Sequence, residues 1–313
     1  MRVAVVGAGG VGGLIGGLLA RAGNDVSFVA RGAMLAALRE RGLEVQSPRG
    51  SFRISSVDAS EDPGALRPAE VVLVAVKGWQ VREVAPRLAP LLGPGAFAVP
   101  LENGVEAAPA LAAALGAERV VGGLCHLLAW VDAPGVVKHA GDSLRVTVGE
   151  WPHGSSPRLE RLAAAMRDAK IDAVVSPDIE AAAWEKFLFI DAFGSVGAVT
   201  RSPAGQFRTI QASRELLRAA MEETAAVGRA RGARVPVDAV DKALALVDSL
   251  RPESTASMQR DLQAGRPSEL FDQTGAVVRL AAEAGVDAPV HRFVYAALLP
   301  QETAARGSTK PTP

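Results

Sequence analysis

Val3-Ala4-Val5-Val6-Gly7-Ala8-Gly9-Gly10-Val11-Gly12 sets an apolar, β-branched run against a cluster of glycines and then passes into a stretch whose apolar residues recur at helical spacing. A strand, a tight turn and a helix are therefore expected within the first two dozen residues. In that context the glycines divide the work: Gly7 makes the turn, Gly9 lets the backbone approach a pyrophosphate, and Gly12 allows close packing of helix on strand. The amides of Gly10 and Val11 then open the helix, where unsatisfied N–H groups and the helix dipole favour a negative charge. The plainer alternative is a glycine-rich turn that binds nothing.

The pattern continues outward. Residues 3–6, 25–30, 71–76 and 96–100 read as strands, alternating with helical stretches at residues 11–22, 33–41 and 81–91. Such alternation builds a doubly wound, mainly parallel α/β sheet through right-handed crossovers. Residues 120–149 suggest further strands that close this domain, followed by a helix at 155–169 and a last strand at 171–175. Beyond Pro177 nearly everything reads as helix: residues 179–193, 214–231, 237–250, 271–284 and 289–298. The expected organisation is a Rossmann domain at 1–177, an all-helical domain at 178–305 and a disordered tail at 306–313, which is rich in Gly, Ser, Thr and Pro.

Composition narrows the functional classes. The 34 Lys and Arg balance 34 Asp and Glu, so there is no broad positive field for nucleic acid. Cys125 is the single cysteine, and His126, His139, His153 and His291 are not at metal-ligand spacing, so neither a disulfide nor a metal is expected. The uncharged run at residues 3–20 superficially resembles a signal or anchor, but its seven glycines make it a poor bilayer span. The expectation is a cytoplasmic protein with no membrane and no nucleic-acid partner.

Further residues carry chemistry. Where an acidic side chain would bind the ribose of NAD, about twenty residues after the glycines, this sequence has Arg31. Arg31 suits the 2′-phosphate of NADP, so NADPH is preferred over NADH, the bland reading being a solvated arginine at a strand end. Lys77, in Lys77-Gly78-Trp79-Gln80, and Asn103, in Glu102-Asn103-Gly104-Val105, follow two other strands and are placed to meet cofactor or substrate, or simply to cap a helix. Lys186 stands in the apolar stretch Trp184-Glu185-Lys186-Phe187-Leu188-Phe189-Ile190, where a lysine either snorkels to water or protonates an alkoxide formed by hydride addition. Ser257 and Asp261 share a helix face, while Ser268 and Glu269 read as the cap and first-turn acid of the next helix. A hydrolase built on Ser195 is disfavoured, because Phe193 replaces the first glycine of a nucleophile elbow.

Taken in order, the glycine loop with Arg31, Lys77-Gly78-Trp79-Gln80, Asn103-Gly104, the stretch with His139, Trp184-Glu185-Lys186, and Ser257-Met258 followed by Glu269 resemble the ketopantoate reductase (2-dehydropantoate 2-reductase) family over nearly the whole chain. The resemblance implies a Rossmann domain plus a helical domain with the active site in the cleft between them. It also implies NADPH-dependent reduction of a 2-oxo acid to a 2-hydroxy acid, commonly in cytoplasmic pantothenate synthesis. Carried onto this chain, Lys186 is the general acid, Glu269 and Ser257 contact substrate, Asn103 and Lys77 lie at the nicotinamide end, and Arg31 holds the 2′-phosphate. The expected partner is a small 2-oxo acid, with a homodimer as the candidate assembly. Where the family carries asparagines four and eight residues after the lysine, this chain has Ile190 and Gly194; Ser254 stands for a third. Ile190 offers methyl surface and Gly194 room, which points to a more apolar substrate, and a nucleotide sensor without catalysis is the remaining alternative.

Overall fold

The computed structural model describes residues 1–307. The chain divides into two compact units, one of Met1–Glu102 with Ala107–Ile179, the other of Asn103–Glu106 with Glu180 onward.

The first unit runs β1 (Arg2–Val6), α1 (Gly10–Arg21), β2 (Asp25–Val29), α2 (Gly32–Arg41), β3 (Leu43–Gln46), β4 (Phe52–Ile54), β5 (Asp58–Ser60), β6 (Ala69–Val74), α3 (Val81–Val84), β7 (Leu92–Pro100), α4 (Ala107–Leu115), β8 (Val121–Ala133), β9 (Val136–Glu150), α5 (Pro157–Asp168) and β10 (Asp172–Val175). A parallel sheet of order β5-β2-β1-β6-β7 forms its centre. Its strands are buried because helices cover parallel sheets, and Val3 to Val6 are at most 2% exposed. The chain passes from β1 to β2 on one side and returns to β6 on the other, so the carboxyl ends of β1 and β6 form the switch point where α/β sheets take ligands.

The strands expected at residues 120–149 do not extend this sheet. They form the long hairpin β8-β9, which joins β3, β4 and β10 in a second, mixed sheet. Helix α1 packs against residues of both sheets, and this explains its glycines. A Cβ on Gly12 would stand 2.1 Å from the Gly7 carbonyl oxygen, and one on Gly16 2.7 Å from the Phe28 ring, both on the first-sheet side. On another side, a Cβ on Gly10 would meet Ala129 O at 2.4 Å and one on Gly13 the Val137 side chain at 2.7 Å. Two packing faces on one helix require small residues on both.

The expected helix at 81–91 is broken: α3 lasts one turn, and Ala85–Leu91 is a 3₁₀ segment containing Pro86 and Pro90, neither of which has an amide hydrogen to donate.

The second unit is helical: α6 (Ile179–Thr200), α7 (Ala204–Phe207), α8 (Gln211–Ala230), α9 (Ala239–Ser249), α10 (Ser257–Gln263), α11 (Thr274–Ala284) and α12 (Pro289–Ala305). Its core joins Trp184, Phe187, Leu188 and Phe193 of α6 to Leu217, Met221 and Val227 of α8 and to Val277 and Leu280 of α11, with Val105 contributed by Asn103–Glu106. Helix α6 runs to Thr200 and does not stop at residue 193, where the expected helix ended. Gly194 and Gly197 lie inside it, and a Cβ on Gly197 would be 2.6 Å from Gln259 Oε1, so this glycine serves packing rather than termination.

Ser268 and Glu269 do not begin a helix, because α11 starts only at Thr274. Ser268 instead donates through Oγ to Glu302 Oε2 at 2.6 Å and accepts from Leu270 N at 3.1 Å. Arg306, expected in the disordered tail, closes this cluster by donating to Glu302 Oε1 at 2.5 Å and to Ser268 O at 2.8 Å. The rest of that tail, 308–313, lies outside the described residues. Among the described residues no helix is long and apolar enough to cross a membrane.

Candidate active site

In the first unit the glycine loop leaves β1 at its carboxyl end. Gly7 adopts φ +98°, a left-handed conformation that a side chain disfavours, and its Cβ would also stand 2.6 Å from Ala75 O. Gly9 differs, since a Cβ there would meet nothing within 4 Å. Open space at Gly9, the first turn of α1 at Gly10 and Val11, and tight contact at Gly12 match a phosphate cradle.

Arg31 is the N-cap residue of α2 and exposed; its carbonyl accepts from Leu35 N at 3.4 Å, while its guanidinium makes no hydrogen bond or ion pair among the described residues. Lys77 follows β6 and begins a 3₁₀ turn, its N–H donating to Gln80 Oε1 at 3.1 Å and its Nζ lying 5.8 Å from the Trp79 ring centroid. A side chain that sequence reasoning missed, Glu102, fixes this end of the sheet. It is 7% exposed, and its carboxylate accepts from Val76 N at 3.0 Å and Leu101 N at 3.1 Å, tying together the loops after β6 and β7. The available signal was an acid placed directly after an apolar strand.

In the second unit, half-buried Lys186 on α6 donates from Nζ to Asn103 Oδ1 at 3.0 Å. The two residues are 83 positions apart, so the lysine does not simply reach for solvent. Gly104 has φ +112°, and a Cβ there would stand 3.3 Å from Asp272 O, which seats Asn103–Glu106 against the turn after Glu269. Arg279 donates to Glu106 Oε2 at 2.7 Å and stacks on Phe271 at 3.8 Å, fastening the same segment.

Glu269 is 6% exposed, and its Oε2 accepts from Gln273 Nε2 at 3.4 Å. Burial pushes the neighbouring Asp272 carboxyl up to about 6, reinforced by the charges of Glu269 and Glu106 and opposed by Arg279 and Arg306. Its Oδ2 is buried without a hydrogen-bond partner among the described residues. Half-buried Ser257 is the first residue of α10. Ser257's neighbours Met258 and Ala256 lie 3.2 and 3.4 Å from where a Gly194 Cβ would be, so the room expected beside Gly194 is already filled. Half-buried Ile190 packs against the helical core. Ser195 is 1% exposed and donates back to Ala192 O at 3.3 Å, a helix-interior serine with no nucleophilic access. His139 belongs to the second sheet, where its Nδ1 pairs with Ser47 Oγ at 2.9 Å.

A glycine cradle at a switch point in the first unit and, in the second, a lysine held by an asparagine and the buried carboxyl group of Glu269 are the parts a nucleotide-dependent reductase needs, and comparison with known proteins gives the same answer. The model for "Ketopantoate reductase PanE/ApbA" matches residues 3–153, and that for its C-terminal domain matches residues 178–302. An uncharacterized oxidoreductase of Bacillus subtilis, YkpB, is 32% identical over 95% of this chain and 98% of its own. A 2-dehydropantoate 2-reductase of Mesorhizobium japonicum is 30% identical over 90% of this chain and 91% of its own. The crystal structure of a ketopantoate reductase from Ralstonia eutropha superposes with a TM-score of 0.88 at 30% identity, over 98% of this chain and 100% of that one. With both halves matched in order along one chain, the protein belongs to the ketopantoate reductase family of oxidoreductases.

Proposed function

We propose that this protein reduces a 2-oxo acid to the corresponding 2-hydroxy acid with NADPH. The observation that carries the reading is the Lys186 Nζ to Asn103 Oδ1 hydrogen bond of 3.0 Å in the unit that also buries Glu269. The α1 N-terminus, with Gly9 uncovered, receives the pyrophosphate, and the unengaged Arg31 guanidinium receives the 2′-phosphate. Lys77 serves the nicotinamide end together with Asn103. The bound nucleotide supplies the hydride for the substrate carbonyl carbon.

As the carbonyl becomes an alkoxide, Lys186 donates a proton from Nζ to its oxygen, giving the hydroxyl of the product. Asn103 accepts from the ammonium and so holds it in one direction, leaving two other N–H bonds for the substrate. Glu269 and Ser257 orient the substrate.

The test is consumption of NADPH and of NADH by the purified protein with a panel of 2-oxo acids that includes ketopantoate. A kcat/KM of about 10⁴ M⁻¹s⁻¹ or more for one member, with NADPH preferred, supports the reading. Failure to consume either nucleotide with every member would refute it in favour of a non-catalytic nucleotide binder.

A further inference from the structure

Asp191 and His291 are fully buried charged residues of the helical unit that the proposed reaction does not use. Asp191 comes five residues after Lys186 on α6, about 7.5 Å further along the helix axis, and is buried in the core while the lysine reaches Asn103. Its two oxygens have separate partners: Oδ2 faces His291 Nε2 at 2.7 Å, and Oδ1 accepts from Thr274 Oγ1 at 3.0 Å. Glu223, 2.6 Å from the other imidazole nitrogen, also accepts from the N–H groups of Val290 and His291 at 2.8 and 3.0 Å, in the first turn of α12. That helix N-terminus serves Glu223 and leaves the imidazole to hold Asp191.

Thr274 is where α11 begins, five residues after Glu269. Gln273 closes the segment between them: its backbone N–H donates to Glu269 O at 2.9 Å, and its side-chain amide donates to Glu269 Oε2 at 3.4 Å. A run of contacts thus leads from Lys186 along α6 to Asp191, across to Thr274 and back to Glu269, all inside one unit. Hydrocarbon side chains would join two helices without taking a charge out of water. A hydrogen-bonded carboxylate adds direction, and so selects one register of α11 against α6.

We infer that Asp191 is a positioning residue for the reduction: through Thr274 it fixes where α11 starts against α6, and with it the spacing between the Lys186 ammonium and the Glu269 carboxylate. The inference rests on the proposed function, which puts both groups at the substrate. Asp191 and Thr274 are themselves fully buried, so they act through the two helices and not by touching substrate. Turnover is sensitive to such spacing, since a misplacement of about 1 Å costs on the order of a hundredfold.

The experiment replaces Thr274 in the full-length enzyme, which removes the link between the helices and leaves the Asp191–His291 pair in place. Thr274→Val should lower kcat for the best 2-oxo acid by roughly tenfold to a hundredfold, with KM changed less than kcat and NADPH affinity unchanged. Thr274→Ser keeps the hydroxyl and should hold kcat within about threefold of the wild type. Thr274→Ala, which sets no methyl group against the carboxylate, takes the place of the valine variant if that does not fold. Urea midpoints on the same preparations separate positioning from stability. A lowered midpoint with kcat of the folded enzyme unchanged, or a serine variant as slow as the valine one, overturns the role of Asp191 and leaves the reductase reading intact. A wild-type protein inactive toward every 2-oxo acid overturns the proposed function, and this inference with it.

Discussion

Lys186 is held by the Asn103 side chain, and this gives its replacement a definite consequence. Lys186→Ala should lower turnover by about two to four powers of ten, the usual size of a lost general acid, while the dissociation constant for NADPH stays within a few-fold. Stopped-flow turnover and a nucleotide fluorescence titration on the same preparation check both halves. Arg31→Asp should act the other way, leaving turnover at saturating cofactor and weakening NADPH relative to NADH by roughly tenfold to a hundredfold, as read by binding titrations with the two nucleotides. Lys186 stands out in the sequence as a candidate because a cation among Phe187, Leu188 and Phe189 is conspicuous, while its contact with Asn103, 83 positions away, could not be read there. Gln273 does not stand out, since a lone amide at the edge of an apolar helix looks the same whether it faces water or a carboxylate 3.4 Å away.

Among the elements, α1 is the most constrained. Gly12→Ala would place a methyl 2.1 Å from the Gly7 carbonyl oxygen, a backbone atom fixed by the turn. The strand and helix must separate, and the expected cost is about 1–3 kcal/mol, measured by urea denaturation, together with weaker nucleotide binding because the cradle moves with the helix. The glycine spacing showed the strand-turn-helix unit at once, but not that a second sheet packs on the other side of α1, because contacts with β3 and β9 are long-range. Short or uniform segments were equally hidden. β5 has only three residues, and α4, Ala107–Leu115, is nearly all alanine and leucine and shows no polar face to set a period. Residues 81–91 misled in the opposite sense, since their apolar spacing is helical while Pro86 and Pro90 forbid a regular helix.

For the molecule as a whole, the formal charge of zero counts His291 as neutral, and the structure argues against that count. Burial alone would keep this imidazole uncharged, but the charge and hydrogen bond of Asp191, 2.7 Å from Nε2, and of Glu223, 2.6 Å from Nδ1, raise it to about 9. Thr274 donates to the same Asp191, and Thr224 Oγ1 lies 3.3 Å from Nε2, so α6, α8, α11 and α12 meet at one buried ion cluster. An unfolded histidine releases its proton near 6.5, so the stabilisation is complete below that pH and is lost as pH rises through about 9. Its size is on the order of 3 kcal/mol. Denaturation midpoints collected from pH 6 to 10 should fall across this window, and in His291→Gln the fall should flatten, with lower stability at pH 6; an unchanged slope would mean that another group titrates there. The balance of 34 positive and 34 negative side chains held no hint of this cluster, because a composition does not say which charges leave water.

The helical unit is also completed out of order along the chain, for Asn103–Glu106 belongs to it although α6 begins far downstream. At synthesis rates of about 5–20 residues per second, the 83 positions between Asn103 and Lys186 mean that the partner of the ammonium is made roughly 4 to 17 s before the lysine exists. During that interval Val105 has no helices to bury it. A growing or prematurely ended copy that stops near Ile179 therefore carries this short strap with an apolar side chain in water.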